Sequence, residues 1–169
     1  MIQVAILTIS DSCSQGERQD RSGPALREFV ERLGWQVASQ EILPDERRQI
    51  GQRLREFADA QTCQLILATG GTGLGPRDVT PEAVRDVIER EIPGLGEQMR
   101  AYGRQFTPLA SLSRSLAGTR GQTLIVALPG SPKGAVQSLE AIADLIPHLV
   151  DLLQGRSEHP YALKLGGAT

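Results

Sequence analysis

Apolar and polar positions along the chain fall into short blocks of two kinds, and the two kinds alternate. Residues 2–9, IQVAILTI, are an apolar run rich in β-branched side chains, which suits a strand covered on both faces. In PALREFVERLG (24–34), Leu26, Phe29, Val30 and Leu33 recur at spacings of three and four, the stripe of an amphipathic helix that Gly34 ends. WQVASQEIL (35–43) predicts a second strand. PDERRQIGQRLREFADA (44–60) predicts a second helix with Ile50, Leu54, Phe57 and Ala58 inward. CQLILAT (63–69) is a third buried strand leading into a glycine-rich loop, and PEAVRDVIEREI (81–92) is a helix that Pro93-Gly94 breaks. GLGEQMRAYGRQF (94–106) predicts a further short helix, TPLASLSRSLAGTRG (107–121) a helix then a turn, and QTLIVALPG (122–130) a fourth strand. SPKGAVQSLEAIADLIPHLVDLLQG (131–155) reads as one long helix that Pro147 kinks or divides, and RSEHPYALKLGGAT (156–169) as an extended tail able to add an edge strand.

Strands alternating with helices predict an α/β fold: a three-layer α/β/α sandwich with a mostly parallel sheet, in a single domain spanning residues 1–169. Ligands of such sheets bind beyond the carboxyl ends of the strands. Three polar loops, 10–23, 70–80 and 130–134, leave those ends and are expected to converge on one crevice. The net charge of −2 speaks against nucleic acid or an acidic membrane as the main partner. No apolar stretch reaches the roughly 18 residues of a membrane span. The first residues, MIQVAILTIS, lack a basic leader and a small-residue cleavage site. Cys13 and Cys63 stand far apart, with no C-x-x-C spacing, so neither a disulfide framework nor a zinc site is expected. Both read as small hydrophobes in a cytoplasmic protein.

The candidate chemistry lies in the loops. In TGGTGLGPRDVTPEA (69–83), Gly70, Gly71 and Gly73 permit positive φ and close backbone approach, and their N–H groups can form an anion-binding nest with Thr69 and Thr72. Thr80 is the expected N-cap of the next helix, with Pro81 at its first position and Glu82 in its first turn. The Gly-Lys-Ser/Thr of a P-loop and the G-x-G-x-x-G spacing are both absent. A tight strand-to-helix turn and an anion cradle therefore both remain open, and Arg77 with Asp78 favours the cradle. An acid just before the cap can hold Mg²⁺ on a phosphate or orient an attacking group; it can also act as a second cap.

LPGSPKGA (128–135) repeats the design, with Gly130 turning the chain, Ser131 capping and Pro132 in the first turn. Of 18 lysines and arginines only Lys133 and Lys164 are lysine. Lys133 sits in a first helical turn, where the dipole disfavours a cation unless an anion binds there. Ser10, Asp11 and Ser12 leave the first strand at its carboxyl end. Asp20 and Arg21 read as part of a solvated loop whose Ser22 caps the next helix. On local grounds Asp45 is an N-cap, and Ser113 and Arg114 have no assignable role. His148 and His159 complete no Ser/His/Asp set. Acids with Lys, Arg and backbone donors suit phosphoryl or nucleotidyl transfer better than acyl transfer.

The segments TISDSC, DRSG, LPDE, TGGTGLGPRDVTPEA, REIPGLGEQMR, PLASLSR and LPGSPKGA, in this order, resemble the molybdopterin adenylyltransferases from the first strand to about residue 155. The resemblance implies a three-layer molybdopterin-binding domain, usually a homotrimer. It implies a reaction in which the terminal phosphate of molybdopterin attacks the α-phosphate of Mg-ATP, giving adenylyl-molybdopterin and pyrophosphate. A downstream molybdenum-insertion protein would then take the product. Asp45 and Asp78 match the acids held to be essential and would place Mg²⁺ and orient the substrates, which replaces the local reading of Asp45. Gly70, Gly71, Thr72 and Gly73 would line the pterin and phosphate pocket. Ser10, Asp11, Ser12, Arg77, Thr80, Gly130, Ser131 and Lys133 would bind pterin or nucleotide phosphates. Gly73-Leu74-Gly75-Pro76 departs from many relatives and leaves pocket shape open there. A molybdopterin-binding or scaffold protein without turnover is the alternative that the resemblance allows.

Overall fold

In the computed structural model, which describes residues 1–156, the first apolar run forms strand β1 (Gln3–Ile9), second from one edge of a six-stranded sheet. Its side chains alternate between two cores. Val4 and Ile6 pack on one side and Ala5, Leu7 and Ile9 on the other, the period of two that a strand covered on both faces requires. The sheet order is β2-β1-β3-β6-β5-β4, with β2 (Gln36–Leu43), β3 (Leu65–Thr69), β4 (Arg90–Glu91), β5 (Ala117–Arg120) and β6 (Thr123–Leu128). The pairs β2-β1, β1-β3 and β3-β6 are parallel, and β6-β5 and β5-β4 are antiparallel.

Helices cover both faces, giving the expected three layers. On one side α2 (Ser22–Arg32), α5 (Pro93–Gly103), α6 (Pro132–Glu140) and α7 (Ile146–Leu153) supply Leu26, Val30, Met99, Leu139 and Ile146. On the other, α3 (Arg47–Asp59) and α4 (Thr80–Arg85) supply Ile50, Leu54, Phe57, Ala58, Ala83 and Val84. No helix among the described residues is long and apolar enough to cross a membrane.

Several local expectations are corrected. The loop after β1 opens with a helical turn, α1 (Asp11–Ser14), capped by Ser10, whose Oγ accepts from Cys13 N. The expected helix over 81–92 stops at Arg85, because Glu89 N and Ile92 N donate to β5 carbonyls at Thr119 and Ala117 and draw Arg90–Glu91 into the sheet. The segment 107–121 holds a short 3₁₀ turn (Pro108–Leu112) and then β5, a strand too short and glycine-bearing to show a pattern. The long helix over 131–155 is two helices, and Pro147 lies in the first turn of the second instead of kinking a continuous one. Ser22 does not cap α2: Asp20 Oδ1 accepts from Gly23 N at 3.1 Å and from the Ser22 hydroxyl at 3.3 Å. The tail expected to be extended lies, from residue 157, outside the described residues.

Candidate functional site

The strands β1, β3 and β6 are neighbours and run the same way, so the loops leaving Ile9, Thr69 and Leu128 emerge side by side. They meet backbone to backbone. Gly70 has φ +107°, and a Cβ there would be driven into the Ile9 carbonyl. A Cβ on Gly130 would stand 3.2 Å from Gly70 Cα. Gly70 N donates to Leu128 O (3.0 Å), Thr69 Oγ1 to Pro129 O (2.6 Å) and Ser10 N to Leu43 O (2.8 Å). Between these loops lies a polar cleft of about 730 Å³, and its walls include Ser10, Asp20, Asp45, Gly70, Gly71, Asp78, Gly130 and Ser131.

Two acids flank the glycine loop in this cleft. Asp45 precedes α3 without capping it, and instead exchanges hydrogen bonds with α1. Asp11 N donates to Asp45 Oδ2 and Asp45 N to Asp11 Oδ1, each at 2.9 Å. Burial lifts the Asp45 carboxyl above its ordinary range, and the charges of Asp11 and Asp78 lift it further against the bond from Asp11 N–H. A Cβ on Gly71 would come within 2.9 Å of Asp45 Oδ1, and a Cβ on Gly73 or Gly75 within 2.8 or 2.9 Å of Asp78 Oδ2. The glycines thus leave room for carboxylates, and Gly75 N donates to Asp78 Oδ2 at 2.8 Å. No group of three or more His, Cys, Asp or Glu among the described residues is arranged to hold a metal. Two mutually repelling carboxylates fit the weaker protein share of a Mg²⁺ site, in which phosphates and water supply the other ligands.

The other residues singled out from sequence divide into two sets. Ser131 caps α6 through Gly134 N (3.1 Å), as its motif predicts. Thr72 and Gly73 line a second cavity, described below. Asp11, Ser12, Arg77, Thr80 and Lys133 line neither cavity. The Arg77 guanidinium holds Asp11 (3.0 and 3.1 Å) and Glu46 (2.8 Å), and its hydrogen bonds keep the Asp11 carboxyl below the usual range. Ser12 shares its hydroxyl with Ser10 at 3.2 Å. Thr80 does not cap α4: Oγ1 is buried without a partner among the described residues, and only its N–H is engaged, with Gly71 O. Lys133 is exposed on the first turn of α6 and forms no ion pair among the described residues.

Sequence reasoning undervalued Asp20, which also accepts from Thr8 Oγ1 (2.8 Å) and so ties its loop to β1. An Asp three residues before Gly23, at the start of an apolar stripe, is a legible cap signal. Arg114 was missed for want of any local signal. It donates to Gly73 O and Asp78 O, each at 2.8 Å, and forms an ion pair with Glu82.

The second cavity, of about 490 Å³, adjoins the cleft and shares Gly130 and Ser131 with it. Leu74, Met99, Leu109 and Leu112 give it apolar walls, with Thr72, Gln137 and Ser138 as polar points. Leu74 and Leu109 are 73% and 69% exposed. An apolar pocket with few polar groups suits a flat ring system, and the two-acid cleft suits phosphates.

Residues 5–148 match the family described as "Probable molybdopterin binding domain". A molybdopterin adenylyltransferase of Helicobacter pylori is 41% identical over 156 residues, covering 91% of this chain and 89% of that protein. The Escherichia coli K12 protein of the same name is 39% identical over 168 residues, covering 91% and 86%. The Drosophila melanogaster molybdenum cofactor synthesis protein cinnamon is 43% identical over 153 residues, but the chain spans only 26% of its length. Among solved structures, the molybdopterin biosynthesis enzyme MoaB of Thermus thermophilus superposes with a TM-score of 0.87 at 52% identity, covering 92% of this chain and 98% of that one.

Proposed function

Since the chain belongs to the molybdopterin-binding domain family, we propose that it adenylylates molybdopterin in molybdenum cofactor biosynthesis. A terminal phosphate oxygen of molybdopterin attacks the α-phosphorus of ATP. The bond from that phosphorus to the β-phosphate oxygen breaks, and pyrophosphate leaves. The observation that carries the reading is the shared wall of the two cavities. A ring in the apolar pocket and a triphosphate in the acid-lined cleft would bring their phosphates together at Gly130 and Ser131.

The chain's own part is positioning. Gly70 and Gly71, with positive φ, turn the loop so that backbone can approach a phosphate closely. The start of α6 behind Ser131 presents a helix N-terminus to the same wall. Asp45 and Asp78 are the residues that would hold Mg²⁺, which would supply charge neutralisation on the phosphates when bound. Near-attack alignment and fixed dipoles then account for the rate without a strong base. The family resemblance also supports a homotrimer, transfer of the product to a molybdenum-insertion protein, and a cytoplasmic setting. The test is direct: purified protein with molybdopterin and Mg-ATP releases pyrophosphate. Binding of molybdopterin without release would make the chain a carrier.

A further inference from the structure

The proposed transfer gives Arg114 nothing to do, yet its donors are all directed at the glycine loop and the helix that follows it. Nε donates to Gly73 O at 2.8 Å and Nη2 to Asp78 O at 2.8 Å, while its backbone N donates to Thr72 O at 3.0 Å. One residue therefore grips the loop at both ends of the turn that seats the Asp78 carboxylate. The remaining arm, Nη1, meets Glu82 Oε1 on α4. From the other side, Arg100 of α5 donates to Ser113 O (3.3 Å) and Ser115 O (2.8 Å), fixing the chain on either side of Arg114.

The segment that ends in Arg114 is itself a wall of the apolar cavity, through Leu109, Leu112 and Ser113; the loop it grips lines the same cavity through Thr72, Gly73 and Leu74. Arg114 thus joins two walls of one pocket to the backbone that carries Asp78. Glu82 keeps its second oxygen, Oε2, buried without a partner among the described residues. An ion pair that leaves such an atom desolvated is a poor device for stability alone.

We infer that Arg114, seated by Glu82, is a positioning residue: it couples filling of the apolar cavity to alignment of Asp78. The inference rests on the adenylyl-transfer reading. Arg114→Lys tests it, because lysine keeps the charge beside Glu82 but lacks the planar fork that reaches several acceptors. With a misplaced acid, kcat for pyrophosphate release falls about 10- to 100-fold. The KM for ATP changes less than kcat, since Asp45, Gly70, Gly71 and Ser131 of the cleft are not held by Arg114. Molybdopterin binding weakens, and the Gly75 amide proton, bonded to Asp78 in the wild type, shifts upfield in the NMR spectrum. Unchanged kcat with an unchanged Gly75 resonance overturns the inference, as does a raised ATP KM at constant kcat. If Arg114→Lys does not fold, Glu82→Gln carries the same test, with effects in the same direction and smaller. Wild-type protein is assayed alongside. Absence of pyrophosphate release there refutes the transfer reading, and the Gly75 resonance still decides whether Arg114 sets Asp78.

Discussion

A carboxyl held above its ordinary pKa by burial and by two facing acids is under a repulsion that the fold tolerates and does not need. Asp45 is in that position. Asp45→Asn removes the charge, yet its amide oxygen can still accept from Asp11 N. The variant is expected to unfold at equal or higher urea concentration than wild type at neutral pH while losing pyrophosphate release by at least about 100-fold. Loss of stability with retained turnover would make Asp45 structural. The pH dependence has a definite sign. Because the folded pKa is raised, the penalty on folding exists where Asp45 is ionised and is relieved as pH falls through that pKa, so the two proteins converge in stability on acidification. Cys63 is a simpler case: burial raises its thiol pKa to about 11, so a thiol reagent at pH 8 should modify it only after unfolding. At this scale the sequence was legible where a residue's task follows from its motif, as for Ser131, which caps α6; Asp45, a local N-cap by its motif, bonds to α1 instead. Arg114 was not legible, because its side-chain partners lie 32 to 41 positions away and no local pattern anticipates them.

Among the elements, the glycine loop shows how conformation and surroundings combine. Gly34 and Gly70 both have positive φ, +75° and +107°, but a Cβ at Gly34 meets nothing within 4 Å. At Gly70 it runs into the Ile9 carbonyl of the neighbouring loop. Gly34→Ala should therefore cost only the strain of its backbone, about 1 kcal/mol, and Gly70→Ala at least about 2 kcal/mol, read from urea midpoints. Equal costs would mean that the loops are not packed as described. Apolar runs made β1, β3 and β6 readable, because strands covered on both faces announce themselves by continuous hydrophobicity. Strands β4 and β5 gave no such signal. Their residues Arg90–Glu91 are exposed, and Gly118 is glycine because a Cβ would stand 2.7 Å from Arg90 O. Pairing that depends on a distant partner overrode the local helical pattern of 81–92.

For the whole molecule the question is charge. Two polyanions must meet on a chain of net charge −2, and the resemblance set Arg77 and Lys133 against their phosphates. Arg77 is engaged by Asp11 and Glu46, and Lys133 does not line the cleft. The cleft instead presents Asp20, Asp45 and Asp78, with Arg18 and Arg21 as its basic residues. Protein cations therefore offset little of the repulsion between phosphates and the two acids beside the glycine loop, and in the proposed reaction a divalent cation held by those acids would supply the rest. Chelation with EDTA should abolish pyrophosphate release and weaken ATP binding at least about tenfold, and added sodium chloride should not restore either, since monovalent screening acts weakly at such short range. The variant carrying Asp45→Asn and Asp78→Asn reverses the sign. Without Mg²⁺ it should bind ATP more tightly than wild type, because two repelling charges are gone. With Mg²⁺ it should bind less tightly, because the cation has lost its protein ligands. Calorimetric titrations of the two proteins, each with and without Mg²⁺, would show this crossing. Parallel responses would mean that the acids face neither the nucleotide nor a metal.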